Sequence, residues 1–188
     1  MAKRSLRPLV TLFPVPVVLV SSGDEKPNII PIAWTGVLCS DPPILGVSIR
    51  PIRHSHGLIM KNKEFVINIP SVEILKKADY CGAVSGKDVD KFAATGFTPI
   101  PGSEVKVPLI AECPVNIECK VTTVVSLGTH DLFMGRVVAV HADEEVLDRT
   151  GQIDCRKANP FAYVHQQYWS LGELIGRHGL SVSKKDLE

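Results

Sequence analysis

The sequence predicts a mainly β fold with short inserted helices, in which antiparallel strands close, or nearly close, into a barrel. Residues 115–125 alternate between apolar and polar side chains over a length that is unusual for a strand. The other β-branched runs are shorter, and turns with glycine or proline separate several of them. Strands do not alternate with long helical segments, which argues against a doubly wound α/β sheet. Closure into a barrel is favoured because it removes exposed strand edges.

Four strands are predicted in the N-terminal half of the chain. They cover residues 15–22, 28–35, 44–49 and 64–69. The first two are joined by a glycine- and proline-containing turn at residues 23–27 and are expected to form a β-hairpin. A proline-rich loop at residues 41–43 precedes the third strand. Ser55 is the predicted N-cap of a short helix that ends near Lys63.

The rest of the chain is predicted to contain two short helices and three strands. One helix follows Ser71, and the other covers residues 90–94 and is ended by Gly96. The strands are predicted over residues 115–125, 132–142 and 161–165. Loops are expected over residues 99–108 and 143–160, and a tail over residues 168–179. No internal repeat is present, so residues 1–188 are expected to form a single domain.

Composition narrows the class of protein. The chain has 188 residues, a formal net charge of +1 and a charged fraction of 22%. A dedicated nucleic-acid binder usually has a strongly basic face, so nucleic acid is not an expected partner. No apolar run is long enough for a membrane-spanning helix, so no membrane partner is expected. Prolines at positions 8, 14 and 16 interrupt the N-terminus, which is interpreted as an arm leading into the first strand rather than a signal peptide.

The cysteines indicate a reducing compartment. They are Cys39, Cys81, Cys113, Cys119 and Cys155, an odd number with no C-x-x-C pair. This pattern favours free thiols in the cytoplasm over a disulfide framework. Their spacing does not match a zinc site, and no metal is expected.

A cluster of basic and hydroxyl side chains follows the predicted strand 44–49. It consists of Arg50, Arg53, His54 and Ser55 and stands where a helix could begin. A helix N-terminus presents unpaired N–H groups to an anion, and the arginine guanidinium matches the geometry of a phosphate. The cluster therefore predicts a phosphate site. The alternative is a solvated basic turn with a serine cap, which the residues alone do not exclude.

A run of mostly small and apolar residues precedes the proline-rich loop. The run consists of Ile32, Ala33, Trp34 and Thr35. Three further residues predicted to line the same pocket are Ser48, Ile49 and Asn68. Small side chains allow close approach to the backbone, so this shelf and the basic cluster together suit a planar ring that carries a phosphate, such as flavin mononucleotide (FMN). The alternative is a core strand edge at which Trp34 serves packing.

A second candidate anion patch contains Ser85, Gly86, Lys87 and Lys91. A Ser-Gly turn lets the backbone approach an anion closely, and lysine adds positive charge. The alternative is an ordinary helix stop.

Together these segments resemble the flavin reductase-like family, whose members have the FMN-binding split-barrel fold. The matching pieces, in chain order, are PNIIPIAWTGVLCSDPPILGVSIRP, RHSHGLI, EFVINIP, SGKDVDKF, GTHDLFMGRVVAVHAD and YWSLGELIG. Their order and spacing, rather than any single piece, carry the resemblance, which covers roughly residues 14–176. The chain looks most similar to the flavoredoxin-like branch.

The resemblance implies a split β-barrel, which is a Greek-key antiparallel barrel, assembled as a homodimer with two flavins near the interface. Bound FMN would pass electrons to an acceptor from a nicotinamide nucleotide, NAD(P)H, or from an electron-transfer protein. Phosphate contacts would fall at residues 50–55, and Ser85 and Lys91 would approach the phosphate from the other side.

The resemblance also points to residues beyond the phosphate and ring sites. His130 would lie near the flavin and the nicotinamide, and it is the candidate catalytic residue. Tyr168 and Trp169 would either cover the flavin of the partner subunit or anchor the tail.

Three functions remain open. They are an NAD(P)H-dependent flavin reductase, a flavoredoxin-type electron carrier to a protein or ferric acceptor without direct NAD(P)H turnover, and a non-catalytic flavin-binding module. The chain has no G-x-G-x-x-G motif, so no Rossmann site is expected and NAD(P)H would have to stack over the flavin ring. Outside flavin chemistry, the alternative is an apolar barrel that binds another anion.

Overall fold

The computed structural model describes residues 1–182. Its strands are β1 (Val15–Pro16), β2 (Val18–Ser22), β3 (Asn28–Ile32), β4 (Thr35–Ser40), β5 (Pro43–Ile49), β6 (Glu64–Ile69), β7 (Pro99–Ile100), β8 (Leu109–Ile110), β9 (Val115–Ser126), β10 (Asp131–Ala142), β11 (Phe161–Val164) and β12 (Gln167–Ser170). Its α-helices are α1 (His54–Asn62), α2 (Leu75–Ala83), α3 (Lys91–Thr95) and α4 (Cys155–Ala158). Single 3-10 turns lie at Val72–Ile74, Glu144–Val146 and Leu180–Val182. The prediction of a mainly β fold with short inserted helices is confirmed.

Seven strands form one antiparallel sheet in the order β3-β2-β6-β9-β10-β5-β4. The two edge strands, β3 and β4, follow each other in the chain and are joined only by Ala33 and Trp34. The sheet therefore curls until its two edges approach each other at this link, which gives the expected split barrel. The predicted β2–β3 hairpin is confirmed, with Val18 opposite Ile32.

A smaller sheet packs beside the split. Its strands are in the order β1-β11-β12, with Val15 opposite Tyr163 and Tyr163 opposite Tyr168. Because β1 leads directly into β2, this sheet brings two tyrosines from the C-terminal part of the chain to the N-terminal end of the barrel. Strand β12 lies in the segment that was predicted to be a tail.

Two apolar clusters hold the barrel and its helices together. The first contains the fully buried Phe65 of β6 and Phe133 of β10, and Ile59 of α1 packs into it. The second joins the β2–β3 hairpin to α2 and α3, through residues that include Leu19, Ile29, Ala78, Cys81 and Phe92. Helices α2 and α3 are thereby fixed against β3, and the loop between them lies near the start of that strand.

The long strands β9 and β10 are not perfectly regular. Their pairing shifts register at Met134/Gly135 and again at Val137/Ala139. A Cβ atom at Gly135 would lie 2.4 Å from the ring of Phe65, so only glycine lets the strand pass this close to the aromatic core.

Both faces of the first half of β9 are covered. The predicted alternation sets Asn116 and Glu118 on the polar face, yet both side chains are buried. The segment between β7 and β8 folds over this face, and the backbone N–H of Ser103 donates to the Glu118 carboxylate. Asn116 and Glu118 therefore make hydrogen bonds inside the protein instead of facing solvent.

Two predicted boundaries are wrong, for local reasons. Helix α1 begins at His54 with Arg53 as its N-cap, so Ser55 is not a cap but a buried residue of the first turn. The predicted strand 28–35 is interrupted at residues 33–34, because the chain crosses there from one edge of the sheet to the other. The strand that follows this crossing, β4, was not predicted.

Candidate functional site

A cavity of about 240 Å³ opens where the two edges of the sheet meet. We call it the ring cavity. Of the residues predicted to form the ring shelf, those that line it are Ile32, Ala33, Trp34, Ser48 and Ile49. The backbone N–H of Ser48 donates to the carbonyl of Trp34 at 2.8 Å, which ties the link between the edges to β5. The side chain of Trp34 is 48% exposed and can contact a bound molecule.

Two arginines of the turn after β5 contribute to the ring cavity. Arg50 and Arg53 both line it, and the backbone N–H of Arg53 donates to the carbonyl of Arg50 at 2.9 Å in a tight turn. This turn connects β5 to α1, so the strand that carries Ser48 leads directly to the basic cluster. Positive charge is therefore concentrated at one side of an otherwise largely apolar cavity.

His130 closes the turn between β9 and β10 and also lines the ring cavity. Its ring is parallel to that of Trp34 to within 2°, with the centroids 6.3 Å apart. The hydroxyl of Thr129 lies 2.9 Å from Nδ1 of His130. The structure thus places the predicted catalytic histidine in contact range of the ring cavity.

A second cavity, of about 90 Å³, adjoins the first. The two share Ile30, Arg53 and Gly82 as lining residues, so they are continuous. We call the smaller one the anion cavity. Its lining includes most of the residues predicted to contact a phosphate, namely Arg53, His54, Ser55, Ser85, Gly86 and Lys91. Sequence segments that are far apart in the chain therefore meet at one small polar cavity.

Lys91 is the most deeply buried cation in the anion cavity. Its side chain is 3% exposed, and Nζ donates to the carbonyls of Ile29 at 2.8 Å and of Cys81 at 2.6 Å. An ammonium group has three protons, so one is left for a ligand. Burial lowers the pKa of Lys91, the neighbouring Cys81 opposes this shift, and the positive charge of Arg53 adds to it. An anion in the cavity would restore the pKa by favouring the charged form.

Asn28 is a site residue that the sequence reasoning missed. It is 4% exposed and lines the anion cavity, and its Nδ2 donates to the Ser55 hydroxyl at 2.8 Å. Among residues 1–182, its Oδ1 has no hydrogen-bond partner. A Cβ atom at Gly86 would lie only 2.0 Å from this oxygen, so Gly86 makes the room that Asn28 occupies. A polar residue at the first position of a buried strand, beside a proline turn, was the available signal.

Among residues 1–182, the unpaired atom of the Asn28 amide is its oxygen, which in this orientation accepts hydrogen bonds and cannot donate one to an oxyanion. Rotating the Asn28 amide by half a turn would aim Nδ2 into the cavity and let Oδ1 accept from the Ser55 hydroxyl. The residues of the anion cavity therefore fit a phosphate, and the continuous ring cavity fits a planar apolar group attached to it.

Three of the predicted site residues, Thr35, Lys87 and Asn68, do not line these cavities. The Thr35 hydroxyl donates to the carbonyl of Gly46 at 2.8 Å, and its side chain faces a different cavity beside the N-terminal arm. Lys87 is exposed in the loop after α2 and is not among the residues that line the anion cavity.

The prediction that Asn68 lines the ring pocket is wrong. Asn68 is fully buried in β6, where its Nδ2 donates to the carbonyl of Leu19 at 2.9 Å. Its Oδ1 accepts from the backbone N–H of Ile110 and from the Asn116 side chain. Because its amide joins β2, β8 and β9, its role is in the core rather than in the site.

Tyr163 and Tyr168 form a wall of the ring cavity, and they come from the same chain as the rest of it. The Tyr168 hydroxyl donates to Oδ1 of Asp79 on α2 at 2.8 Å. Burial, together with this hydrogen bond and the charge of Asp79, raises the pKa of Tyr168 to about 12. Of the two alternatives for Tyr168, the one that anchors the C-terminal segment within its own chain agrees with this contact. Trp169 is 55% exposed.

Further reactive groups among residues 1–182 include the cysteines and the acidic side chains. All five cysteines are free thiols, and burial raises the pKa of Cys81, which lines the anion cavity, to about 11. Over residues 1–182, no group of three or more acidic, histidine or cysteine side chains is arranged to hold a metal ion. None of the helices described is long and apolar enough to cross a membrane.

Comparison with known proteins places the chain in a family. The flavin reductase like domain matches residues 10–172. A protein of Archaeoglobus fulgidus is 39% identical over 133 residues, which are 70% of this chain and 75% of that protein.

Solved structures extend the match to the whole fold. Flavoredoxin of Desulfovibrio vulgaris (Miyazaki F) has a TM-score of 0.91 at 34% identity, covering 97% of this chain and all (100%) of that one. An FMN-binding protein from Thermus thermophilus, solved with 1-cyclohex-2-enone, has a TM-score of 0.79 at 29% identity, covering 94% and 99%. A protein with a split barrel domain from Shewanella frigidimarina has a TM-score of 0.78 at 26% identity, covering 87% of this chain and 84% of that one. The chain belongs to the flavin reductase-like family, and its structure matches the flavoredoxin-like branch of that family.

Proposed function

We propose that this protein binds FMN non-covalently in the two joined cavities and acts as an FMN-dependent oxidoreductase, with NAD(P)H-dependent flavin reduction as the first candidate activity. The observation that carries the proposal is the continuity of a largely apolar ring cavity with a small cavity that contains Lys91 and Arg53. The similarity to an FMN-binding protein of known structure supports the choice of flavin.

The anion cavity would hold the phosphate. Lys91 supplies a buried positive charge, and Arg53 supplies a second one at the junction of the two cavities. Asn28 adds a neutral donor once its amide is turned so that Oδ1 accepts from the Ser55 hydroxyl, and Gly86 leaves the space that Asn28 needs. Charged partners of this kind make hydrogen bonds about twice as strong as neutral ones, which suits a doubly charged ligand.

The ring cavity would hold the isoalloxazine. Ile32 and Ile49 offer apolar contact, whereas Ala33 allows close approach to the backbone. FMN, when bound, supplies the hydride- or electron-accepting chemistry, and the protein tunes it. Arg50 lies where its charge would stabilise negative charge on a reduced ring.

His130 is the residue that we propose to meet an electron donor. It lies beside Trp34 at the ring cavity, and the Thr129 hydroxyl contacts its Nδ1. Hydride transfer needs no general acid or base, so the role of His130 would be to orient the donor rather than to move a proton. NAD(P)H would stack in the open part of the ring cavity.

A second candidate is an electron carrier that receives electrons from another protein and passes them to a protein or ferric acceptor. The similarity to flavoredoxin, at 34% identity over 97% of the chain, favours this alternative. A flavin-binding module without turnover is the third.

We also propose that the protein is a homodimer in the cytoplasm. Large apolar side chains are exposed on the N-terminal arm and on β4, including Phe13 at 54% and Val37 at 76%. A patch of this kind on a soluble protein commonly marks an interface. Light scattering after size exclusion checks this, and a mass of 20.5 kDa in solution would contradict it.

An anaerobic absorbance spectrum tests the proposed function. The purified protein is recorded alone, with added FMN, and then with NADH and NADPH in turn. Rapid bleaching of flavin bands by either nucleotide supports a flavin reductase. Bands that persist with both nucleotides, and that bleach when a reduced electron-transfer protein is added last, support an electron carrier. A protein that binds no FMN under these conditions would overturn the proposal.

A further inference from the structure

His130 needs support from outside its own turn. The preceding residues, Leu127, Gly128 and Thr129, are all exposed. Within the turn, the hydrogen bonds of His130 are one from the Leu127 N–H to its carbonyl, at 2.8 Å, and the contact with the Thr129 hydroxyl. An exposed turn with so few contacts does not by itself fix the direction of an imidazole.

The next residue, Asp131, is held much more firmly. It is the first residue of β10 and pairs with Ile49 of β5 and Ser126 of β9. Its Oδ2 lies 2.8 Å from Nε2 of His56 on α1, and the His56 and Asp131 side chains are only 12% and 18% exposed. The contact joins the helix that lines the anion cavity to the strand that follows His130.

His56 is fixed in turn by the core. Its ring meets the fully buried ring of Phe133 nearly edge-on, with the centroids 5.1 Å apart and the planes at 72°. The hydrogen bond from His56 lowers the pKa of Asp131, which shows that the contact favours the charged carboxylate. A continuous set of contacts therefore runs from Phe133 in the core through His56 to Asp131, which is the next residue in the chain after His130.

We propose that His56 and Asp131 form a positioning pair that holds His130 parallel to Trp34 at the ring cavity. Neither member of the pair is among the described residues that line this cavity, so the pair acts through His130 and touches no reacting group. The positioning itself rests on the contacts above. Its consequence, the orientation of His130 toward an electron donor, rests on the proposed function.

The fluorescence of Trp34 gives a direct readout without any flavin. The chain has two tryptophans, and Trp169→Phe leaves Trp34 as the only one, whose emission is separated from that of the tyrosines by exciting at the red edge of the indole absorption band. A protonated imidazole in contact with an indole quenches the indole emission. The loss of Trp34 emission in acid, measured on the flavin-free protein, therefore reports the fraction of molecules in which His130 lies against Trp34. The His130→Ala variant identifies the part of the quenching that comes from this residue.

Breaking the hydrogen bond between His56 and Asp131 should allow His130 to leave its position parallel to Trp34. Removal of a charge-assisted hydrogen bond is expected to lower the ratio of stacked to unstacked His130 about tenfold in His56→Ala. His56→Gln, whose amide nitrogen can donate to Asp131, should restore most of the quenching. The matched control is His141→Ala, which breaks the other histidine–carboxylate pair of β10, between His141 and Glu118 at 2.6 Å, and should leave the quenching unchanged.

The proposal is overturned if His56→Ala keeps the parental acid quenching, or if His130→Ala does not reduce it. Asp131→Ala breaks the same pair from the other side and replaces His56→Ala if that variant does not fold. Equal loss of quenching in His141→Ala would show a general structural effect and would also overturn the proposal. FMN is added only afterwards, so a failure to bind FMN would contradict the proposed function and leave the fluorescence result valid.

Discussion

The carboxylate of Glu118 and the imidazole of His141 meet across the β9–β10 ladder, with Oε1 and Nε2 2.6 Å apart. Glu118 is fully buried, yet it remains ionised because it also accepts from the backbone N–H groups of Ser103, Glu104 and Val105. Burial alone would raise its pKa, but these hydrogen bonds and those from the His141 and Ser103 side chains hold the pKa at about 2. One side chain thereby anchors the segment between β7 and β8 to the sheet.

Stability should therefore fall in acid because of Glu118. Its pKa is lower in the folded protein than the ordinary value of 4.5, so its contribution is fully present above pH 4.5 and is lost as the pH falls toward 2. The contribution is on the order of 3 kcal/mol. Urea unfolding at a series of pH values checks this, because Glu118→Gln should be less stable at neutral pH and should lose less stability in acid.

Glu104→Gln is the control, since it removes an exposed carboxylate from the same segment and leaves the backbone donor in place. An acid profile of Glu118→Gln that runs parallel to that of the parent protein would contradict the assignment.

Substitutions at Lys91 and at Arg53 should differ in their effect on stability, although both should weaken FMN binding. Lys91→Met leaves the buried carbonyls of Ile29 and Cys81 without their donor, which should lower the free energy of unfolding by about 1–3 kcal/mol and weaken FMN binding about tenfold to a hundredfold. Arg53 is exposed, so Arg53→Ala should weaken FMN binding while changing stability by less than about 0.5 kcal/mol. Fluorescence titration with FMN and urea unfolding measure the two effects.

Lys87→Ala removes a nearby exposed cation that does not line the anion cavity, and it should change neither quantity. If Lys87→Ala weakens FMN binding as much as Arg53→Ala does, general attraction to a basic surface explains the effect better than a specific phosphate contact.

Gly86 should be as important to the anion cavity as its charged residues. An alanine Cβ at this position would lie 2.0 Å from Oδ1 of Asn28, so Gly86→Ala must displace either the loop or the Asn28 amide. We expect FMN affinity to fall about tenfold or more, as for the loss of one strong hydrogen bond. The measurement is the same titration with FMN.

Gly57→Ala provides a matched control on α1, because a Cβ there meets nothing within 4 Å. The substitution should leave FMN affinity unchanged and stabilise the protein by about 0.5–1 kcal/mol, since alanine favours a helix interior. Unchanged affinity in Gly86→Ala would mean that the cavity adapts and that its shape does not select the ligand.

Local patterns were enough to predict most of the fold. The alternation over residues 115–125 and the turn at residues 23–27 predicted strand β9 and the β2–β3 hairpin, because each depends on neighbouring residues. The crossing at Ala33 and Trp34 could not be predicted in this way. It depends on which strands form the edges of the sheet, and that is decided by pairings between segments far apart in sequence.

In the site, too, some residues could be recognised from the local sequence, whereas the role of others depends on partners far away in the chain. The basic cluster at residues 50–55 could be recognised because its basic residues lie close together in the sequence, and the structure brings most of it to the two cavities. Asn68 was misassigned because its partners, Leu19 and Ile110, are remote in sequence and draw its amide into the core. Asn28 was missed because a lone asparagine at the start of a strand, directly after a turn, gives no sign of a ligand contact until Ser55 and Gly86 are placed beside it.

The hydrogen bond from Tyr168 to Asp79 should make the wall of the ring cavity sensitive to alkali. Because the pKa of Tyr168 is raised from 10 to about 12 in the folded protein, its contribution to stability is fully present below pH 10 and is lost as the pH rises toward 12. Tyr168→Phe keeps the ring but removes the hydroxyl, and it should cost about 1 kcal/mol at neutral pH and flatten the alkaline loss. Urea unfolding across this range checks both effects, with Tyr80→Phe as an exposed control on the same helix as Asp79. An alkaline loss that persists unchanged in Tyr168→Phe would assign it to another group and leave the anchoring of β12 to α2 without support.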